Sequence, residues 1–306
     1  MRLTLILLLT LLSVVSCEKT IDISIPASER KIVLNAIVNA DSVFTANIFR
    51  SNHLQDDLSK LLYLNNAKID IYENDEFKET LELDTAGYYK GNTLKAKVGF
   101  NYEIRVAVPN LKAVSGKTVL LPVVPVVSFD STGHVNVPQY WGDEDGSAII
   151  FSTVFKDPKG VKNYYRIKMQ SPYVQRIDEI SSDISYVEQF YLYGDIHSED
   201  PSIEIDKWID GYYYFSDVLF DGQEYSFDFV ATESSQKPNV EVKDSVYVYL
   251  EHISYDFYKY MLGVNMQYDS DDMQLFYQAA PVLNNVKDGF GIVGAVSASK
   301  KGKKMY

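Results

Sequence analysis

The sequence contains very little of the chemistry from which disulfides and most catalytic centres are built. It has one cysteine, Cys17, so no disulfide can form within the chain, and its four histidines lack the HxH or HxxxH spacing of a zinc ligand pair. It also has no GxSxG nucleophile elbow and no GxxxxGKS/T phosphate loop. These absences predict a protein that is not an enzyme and that binds no cofactor.

Positive charge is also scarce. The chain has 29 Lys and Arg residues against 42 Asp and Glu residues, which gives a net charge of -13. An acidic surface repels both nucleic acid and anionic lipid. The composition therefore argues against a nucleic-acid-binding protein and against electrostatic docking on a membrane.

The long apolar run of the chain lies at its beginning, in residues 3–12. It is shorter than the roughly 20 apolar residues that a spanning helix needs. Arg2 precedes it, and Val14, Val15 and Ser16 lead from it to Cys17. This pattern predicts a lipoprotein signal peptide over 1–17, cleaved before Cys17, whose sulfur then carries a membrane-anchoring lipid. The alternative is an ordinary cleaved signal that leaves Cys17 as a free thiol.

Short alternating runs follow a polar tether that we predict over 18–30. Residues 67–72 (AKIDIY) and 101–108 (NYEIRVAV) alternate apolar and polar side chains most strictly. About seven such runs in roughly 90 residues predict a small immunoglobulin-like β-sandwich over 31–121. Pro122 and Pro125 then predict a hinge, because proline cannot occupy a central strand.

The second predicted domain, 126–299, is also rich in β-strand patterns. After the run DSVYVYLE the apolar residues change to helical spacing, and Ser254 is of a type that caps helices, which predicts one short helix at about 254–263. The glycine-rich residues 288–296 predict a closing strand, and 300–306 a solvated basic tail. The predicted fold class is mainly β, with two tandem antiparallel β-sandwich domains and one short helix near the C-terminus.

Several segments occur in the order typical of one family. They are the signal ending in Cys17, KIVLNAIVNADSVF, AKIDIYEND with GYY and NYEIRV, SVYVYLEHISYDFYKYM, and PVLNNVKDGFGIVGAVSAS. Together they resemble the Bacteroidota lipoproteins grouped as domain of unknown function 4249, over essentially the whole mature chain. Independently, residues 67–108 are similar to the transthyretin-like domains that regulate carboxypeptidases or precede TonB-dependent transporters.

The resemblance implies an outer-membrane lipoprotein, often encoded beside a TonB-dependent transporter, with no established activity and no catalytic residues to carry over. We therefore predict a membrane-anchored binding or accessory component associated with such a transporter, on either side of the outer membrane. One alternative is a structural or adhesive cell-surface protein whose sandwiches are spacers. Another is a surface hydrolase built on a carboxylate pair that no motif singles out.

Aromatic residues of the second domain form the candidate binding site. Consecutive tyrosines on a strand point to opposite faces, so residues 212–214 predict that one face is not core. Tyrosine and tryptophan supply rigid, amphipathic contact surface for a ligand or partner. The predicted patch comprises Trp141, Tyr191, Tyr193, Trp208, Tyr212, Tyr213 and Tyr214. The alternative is a tyrosine-rich core with its hydroxyls at the rim.

Two acidic stretches offer closely spaced oxygen ligands of the kind that calcium accepts. The candidates are Asp143 and Asp145 in the first stretch and Asp269 and Asp271 in the second. Neither stretch matches the EF-hand loop, and the alternative is that both are solvated loops.

Overall fold

A computed structural model describes most of the chain from residue 29 onward. The ranges are 29–53, 56–57, 60–137, 146–171, 173–181, 184–191, 193–233, 245–271 and 281–304. The predicted signal peptide, Cys17 and most of the tether lie outside them. In the part of the chain that the structure describes, no helix is both long enough and apolar enough to cross a membrane.

The described residues are mainly β, as predicted, with one α-helix near the C-terminus. The strands of the first part are β1 (Ile32–Asn39), β2 (Val43–Arg50), β3 (Leu62–Tyr63), β4 (Lys68–Glu73), β5 (Glu76–Thr85), β6 (Tyr88–Lys95), β7 (Asn101–Ala107) and β8 (Val114–Val119). The second part contains β9 (Val126–Val137), β10 (Gly146–Lys156), β11 (Tyr164–Gln170), β12 (Tyr173–Ser181), β13 (Ile184–Tyr191), β14 (Tyr193–His197), β15 (Ile203–Ile205), β16 (Tyr213–Ser216), β17 (Glu224–Glu233) and β18 (Ser245–Ile253). Helix α1 (Tyr255–Asp271), β19 (Val286–Lys287) and β20 (Phe290–Lys304) complete the chain.

The first unit is a sandwich of β1–β8, closed by β19 and the start of β20. Burial alternates along β1, because every second side chain from Ile32 to Val38 enters the core while its neighbours remain half-buried. These side chains pack against Ile69 and Ile71 of β4 and against Ile104 of β7. The period of two in the sequence thus marks the core face of these strands.

The second unit packs two sheets against each other. One sheet has the strand order β14-β17-β10-β9, and the other contains β15-β16-β11-β18-β20 as one end of a larger continuous sheet. The core between them is unusually aromatic, and its fully buried rings among the described residues are Phe151, Phe155, Tyr165, Phe215, Phe220, Phe227 and Phe229. Most of the phenylalanines of this unit therefore serve packing.

Strand β20 joins the two units. Residues 290–296 pair in parallel with β1, and residues 296–304 pair antiparallel with β18. Val293 and Ala295 belong to the first core, so the segment predicted to close the second domain, 126–299, also completes the first. At Gly291, which has φ +118°, a Cβ would lie 2.1 Å from the carbonyl oxygen of Leu34. Only glycine fits that close approach to β1.

The basic residues at the end of the chain are part of this strand, which corrects the prediction of a solvated tail over 300–306. Residues 300–304 continue the pairing with β18. Their side chains alternate between two sides, as strand geometry requires. Lys301 donates to the carbonyl of Val127, and Lys303 pairs with Asp130, so this side reaches β9.

Helix α1 begins one residue after Ser254 and continues past the predicted end near 263. Gly263 does not terminate it. A Cβ at that position would lie 2.9 Å from the Cα of Val282, so the glycine lets the segment 281–285 cross the helix closely. The Ser254 hydroxyl oxygen accepts a hydrogen bond from the backbone N–H of Ala295, which ties the start of the helix to β20.

Candidate functional site

The sheet containing β16, β11, β18 and β20 has an outer face, opposite the aromatic core, that α1 covers only in part. In the half next to the first unit, Phe257, Tyr258 and Met261 of α1 pack on Tyr214 and Ile253. We call this the covered half. The remaining part, the open half, comprises Lys168, Gln170, Ser245, Tyr247, Tyr249, Lys300, Gly302 and Lys304, all on the same face by strand register.

The covered half is built around one buried ion pair. The Nε of Arg166 lies 2.5 Å from Oε2 of Glu251, and its Nη1 lies 3.2 Å from Oδ2 of Asp210. The hydroxyl of Tyr212 donates to Glu251 and that of Tyr214 donates to Asp210. Every charged group in this cluster therefore has a partner.

The electrostatics of the pair follow from this arrangement. Burial acts to lower the pKa of Arg166, but the interactions with Glu251 and Tyr214 together outweigh it, and the pKa is raised. Burial raises the pKa of Tyr212, and the charge of Glu251 raises it further. The tyrosine thus stays a neutral hydrogen-bond donor. The cluster is a structural element that holds strands and helix together.

The open half carries a continuous row of cations and tyrosine rings that crosses three strands. The Lys168 ammonium lies 4.2 Å from the ring centroid of Tyr212 and 5.5 Å from that of Tyr249. The Lys300 ammonium lies 5.1 Å from Tyr249 and 3.8 Å from Tyr247. Each such contact contributes about 0.5–1 kcal/mol at an exposed site. The rings of Tyr212 and Tyr249 hold the Lys168 ammonium in place without neutralising it.

A glycine makes room for one of these rings. A Cβ at Gly302 would lie 2.7 Å from Cε1 of Tyr247, so the ring lies directly on the backbone of β20. In the part of the chain that the structure describes, no carboxylate lies within ion-pair distance of Lys168. The open half is therefore a flat, basic and aromatic surface suited to contact with negatively charged groups.

The structure separates the predicted aromatic patch. Tyr212 borders the open half, and Trp208 is 72% exposed, with the ammonium of Lys207 5.4 Å from its ring. Tyr193 and Tyr213 lie in the aromatic core, and Tyr214 lies under α1. Trp141 lies outside the described residues, as does the side chain of Tyr191. The expectation that one side of residues 212–214 is not core is wrong, because α1 supplies a second core.

Of the four predicted calcium ligands, two lie outside the described residues and two lie in a helix. Asp143 and Asp145 belong to the part that is not described. Asp269 and Asp271 lie in the last turn of α1 and not in a loop, because the helix continues through Gly263. The prediction of a loop at this acidic stretch is wrong, because it assumed that the helix ends near 263.

A different acidic group is formed by Asp157, Asp217 and Asp221, whose nearest carboxylate oxygens lie within 4.8 Å of one another. Asp157 accepts hydrogen bonds from the hydroxyl of Tyr165 and the N–H of Gly222. Burial raises the pKa of Asp217, and the charge of Asp157 adds to the effect. These carboxylates are close enough to share a cation. They come from two loops that are distant in sequence, so no sequence motif predicts this cluster.

A groove of about 600 Å³ lies between the two units. Lys117 and Val119 line it from the first unit, and Lys162, Tyr164 and Tyr255 line it from the second. Asp75 and Asp256 also line it, so its lysines and carboxylates balance. The groove therefore selects no ligand charge, in contrast to the open half.

Comparison with known proteins identifies a family but no characterised relative. The sequence profile described as "Domain of unknown function (DUF4249)" matches residues 18–302. No curated protein matches. Among solved structures, the three-domain T6 backbone pilin of Streptococcus pyogenes serotype M6 matches at 10% identity with a TM-score of 0.25, over 92% of this chain and 65% of the pilin chain. That likeness is too low to support any argument about function.

Proposed function

The chain belongs to the DUF4249 family of unknown function, and from this premise we propose that it is a lipoprotein of the outer membrane. In this proposal Cys17 carries the lipid anchor, and the folded part acts as a binding or accessory component of a TonB-dependent transporter. The transporter is what the resemblance implies. The observation that supports a binding role is the open half, with its row of lysines held between tyrosine rings.

Anchoring makes a weak binding surface effective. The tether of residues 18–30 reaches roughly 40 Å when extended. A partner in the same membrane is then held at a high effective concentration, so a modest surface is enough for a stable association. A small, flat patch such as the open half fits this arrangement.

The anchor is tested by fractionating cells that express the tagged full chain or the Cys17→Ala variant. The full chain is expected in the membrane fraction and to incorporate labelled fatty acid. The variant is expected to do neither. Membrane retention of Cys17→Ala at the level of the parent chain would contradict the anchor.

The association is tested by recovering the tagged chain from detergent-solubilised membranes. We expect a TonB-dependent transporter to copurify, and less of it with Lys168→Glu. Lys156→Glu is a matched control, because Lys156 is also exposed on the second unit but lies in β10 of the opposite sheet. Recovery of no transporter above an untagged strain would overturn the proposed partner.

A further inference from the structure

The tether joins the folded part at one end of the first unit, where β1 begins. Strand β2 ends there, since Ile32 pairs with Arg50. Strand β20 runs away from this end, because it pairs first with β1 and afterwards with β18 of the second unit. We call it the tether end, and its described residues are 29–31, 50–53, 56–57, 60–68, 84–88, 107–112 and 287–290. It is the end of the first unit that lies away from the second unit.

The tether end carries an excess of positive charge, although the chain as a whole has a net charge of -13. Its basic residues are Arg30, Lys31, Arg50, Lys60, Lys68, Lys112 and Lys287, and its acidic residues are Glu29, Asp56, Asp57, Asp84 and Asp288. Seven cations against five carboxylates leave an excess of two positive charges. The overall charge therefore predicts repulsion from anionic lipid, whereas the charge of this end predicts attraction.

Three lysines surround one carboxylate at the tether end. The Nζ of Lys112 lies 2.7 Å from Oδ1 of Asp288. This hydrogen bond, with the nearby charges of Lys287 and Lys31, lowers the pKa of Asp288. Glu29 is the second carboxylate whose charge acts on Lys112. Two carboxylates do not neutralise three ammonium groups, so this cluster retains a positive charge.

An apolar row crosses the sheet beside these lysines. Phe290, Val33, Phe49 and Tyr63 lie at matching register positions on β20, β1, β2 and β3. Phe290 is 45% exposed and Tyr63 is 48% exposed, and the Lys31 ammonium lies 5.1 Å from the ring centroid of Phe290. Exposed aromatic rings beside basic side chains are typical of protein surfaces that lie at the boundary between lipid and water.

We propose that the tether end docks on the surface of the membrane that holds the lipid anchor, with its lysines against the anionic headgroups of phospholipids. This assignment rests on the proposed anchor and adds a second contact with the same membrane. The lysines and arginines supply the electrostatic attraction, and the exposed rings of Phe290 and Tyr63 lie at the headgroup level.

The length of the tether places the tether end close to the bilayer. Residues 18–30 reach roughly 40 Å when extended, so the anchor keeps this end within that distance of the headgroups. Each lysine or arginine near an anionic surface strengthens binding about fivefold. The anchor also supplies a high effective concentration, so a small excess of charge is enough for docking. In the docked orientation the second unit, with its open half, projects away from the bilayer and is accessible to the transporter.

The test holds the chain on vesicles without its natural lipid. Residues 18–306 contain every described strand and helix and no cysteine. They are tagged with histidines at the N-terminus and held by a nickel-chelating lipid on vesicles of phosphatidylcholine, with or without phosphatidylglycerol. A fluorophore is attached through Asn66→Cys at the tether end or through Gln170→Cys at the far end of β11. Both residues are exposed. Quenching by spin-labelled lipid then reports which end contacts the bilayer.

We expect the fluorophore at Asn66→Cys to be quenched at least about threefold more strongly on vesicles with phosphatidylglycerol than on phosphatidylcholine alone. High salt should remove the difference, because it screens exposed charges. The fluorophore at Gln170→Cys should be quenched weakly on both. Equal quenching of Asn66→Cys on both vesicles would overturn the electrostatic contact. Quenching of Gln170→Cys as strong as that of Asn66→Cys would overturn the docked orientation.

Variants locate the contact on the tether end. Lys112→Glu/Lys287→Glu is expected to reduce the quenching on anionic vesicles to the level seen on phosphatidylcholine. Lys156→Glu/Lys159→Glu makes the same change of charge on exposed residues of the second unit and should leave the quenching unchanged. If the first variant fails to fold, Lys31→Gln/Lys287→Gln removes two charges and keeps the ion pair of Lys112. Unchanged quenching in folded variants would overturn the assignment of this surface.

The artificial tether separates this inference from the proposed function. Docking on anionic vesicles by a chain that carries no lipid in cells would overturn the anchor and leave the contact surface standing. Membrane anchoring through Cys17 without lipid quenching at Asn66→Cys would overturn the docking alone. Loss of transporter recovery with Lys112→Glu/Lys287→Glu, in the absence of lipid quenching, would assign the tether end to the protein partner and overturn the membrane contact.

Discussion

The covered and open halves of one sheet face both place a cation on a tyrosine ring, but the cation has a different role in each half. In the covered half, Arg166 lies between the ring of Tyr212, 4.1 Å away, and the carboxylate of Glu251. In the open half, Lys168 is the second cation on that ring, 4.2 Å from its centroid, and has no carboxylate partner among the described residues. The cation on the Tyr212 ring is therefore structural on the side that α1 covers, whereas Lys168, on the side that α1 leaves open, is available for binding.

Removing the buried cation should have the largest effect on this contrast. Arg166→Met leaves Glu251 and Asp210 without their cation, and breaking a buried pair in this way costs about 3–5 kcal/mol of the free energy of unfolding. Urea unfolding measures it. Arg105→Met is the control, because Arg105 is half exposed beside Glu103 and its loss should cost at most about 1 kcal/mol. Equal losses in both variants would mean that α1 does not isolate the pair from water.

Loosening α1 from the sheet should expose the covered half and so reduce the difference in burial between the two halves. A Cβ at Gly294 would lie 2.7 Å from the Cβ of Phe257, so Gly294→Ala is expected to cost about 1–3 kcal/mol and to loosen α1 from β20. Hydrogen exchange should rise in α1 before it rises in β18. At Gly133 an added Cβ meets nothing within 4 Å, so Gly133→Ala is the matched control with little loss of stability. A stable Gly294→Ala with unchanged exchange would contradict the close contact.

The loop carboxylates provide a different case, in which buried acidic groups face one another. Because burial and Asp157 raise the pKa of Asp217 above its unfolded value of 3.8, the folded state takes up a proton first, and stability falls as pH rises through the raised pKa. Asp217→Asn should therefore melt at a higher temperature than the parent chain at pH 7. The difference should shrink towards pH 4. A lower melting temperature at pH 7 would show that the carboxylate is needed, as it would be with a bound cation.

The open half should show the smallest effect on stability. Lys168→Met keeps the aliphatic stem on the rings of Tyr212 and Tyr249 and removes only the charge, so the free energy of unfolding should change by no more than about 0.5 kcal/mol. Thermal and urea unfolding check this. A loss comparable to that of Arg166→Met would make Lys168 a structural cation and remove the distinction between the halves.

Much of the fold was predictable because strand periodicity is a local property. The alternation in β1 and β4 marks the core face directly, and the change to helical spacing after β18 placed the start of α1 within one residue. The end of α1 was not predictable, because glycine normally weakens a helix. Here Gly263 lies within α1 and leaves room for the backbone of Val282. The lysines of residues 300–304 read as a tail because their partners in β18 are distant in sequence.

The candidate site was predictable only in its residue types. Abundant tyrosine in the second unit suggested an aromatic surface, but the sequence does not state which of Tyr212, Tyr213 and Tyr214 is covered. The row across Lys168, Tyr249 and Lys300 depends on the register of β11, β18 and β20, which are not consecutive in the sequence. Asp157 and Asp217 meet only because two loops lie side by side.

The sequence by itself determined the strand-rich class of the fold, the core faces of its strands and its family, because these follow from short-range patterns and from the order of segments. Tertiary structure decided which tyrosines are core, which cations are paired and where the acidic residues converge. Those properties depend on neighbours brought together by sheet register and by the packing of one helix, and neither is written in any local stretch of the chain.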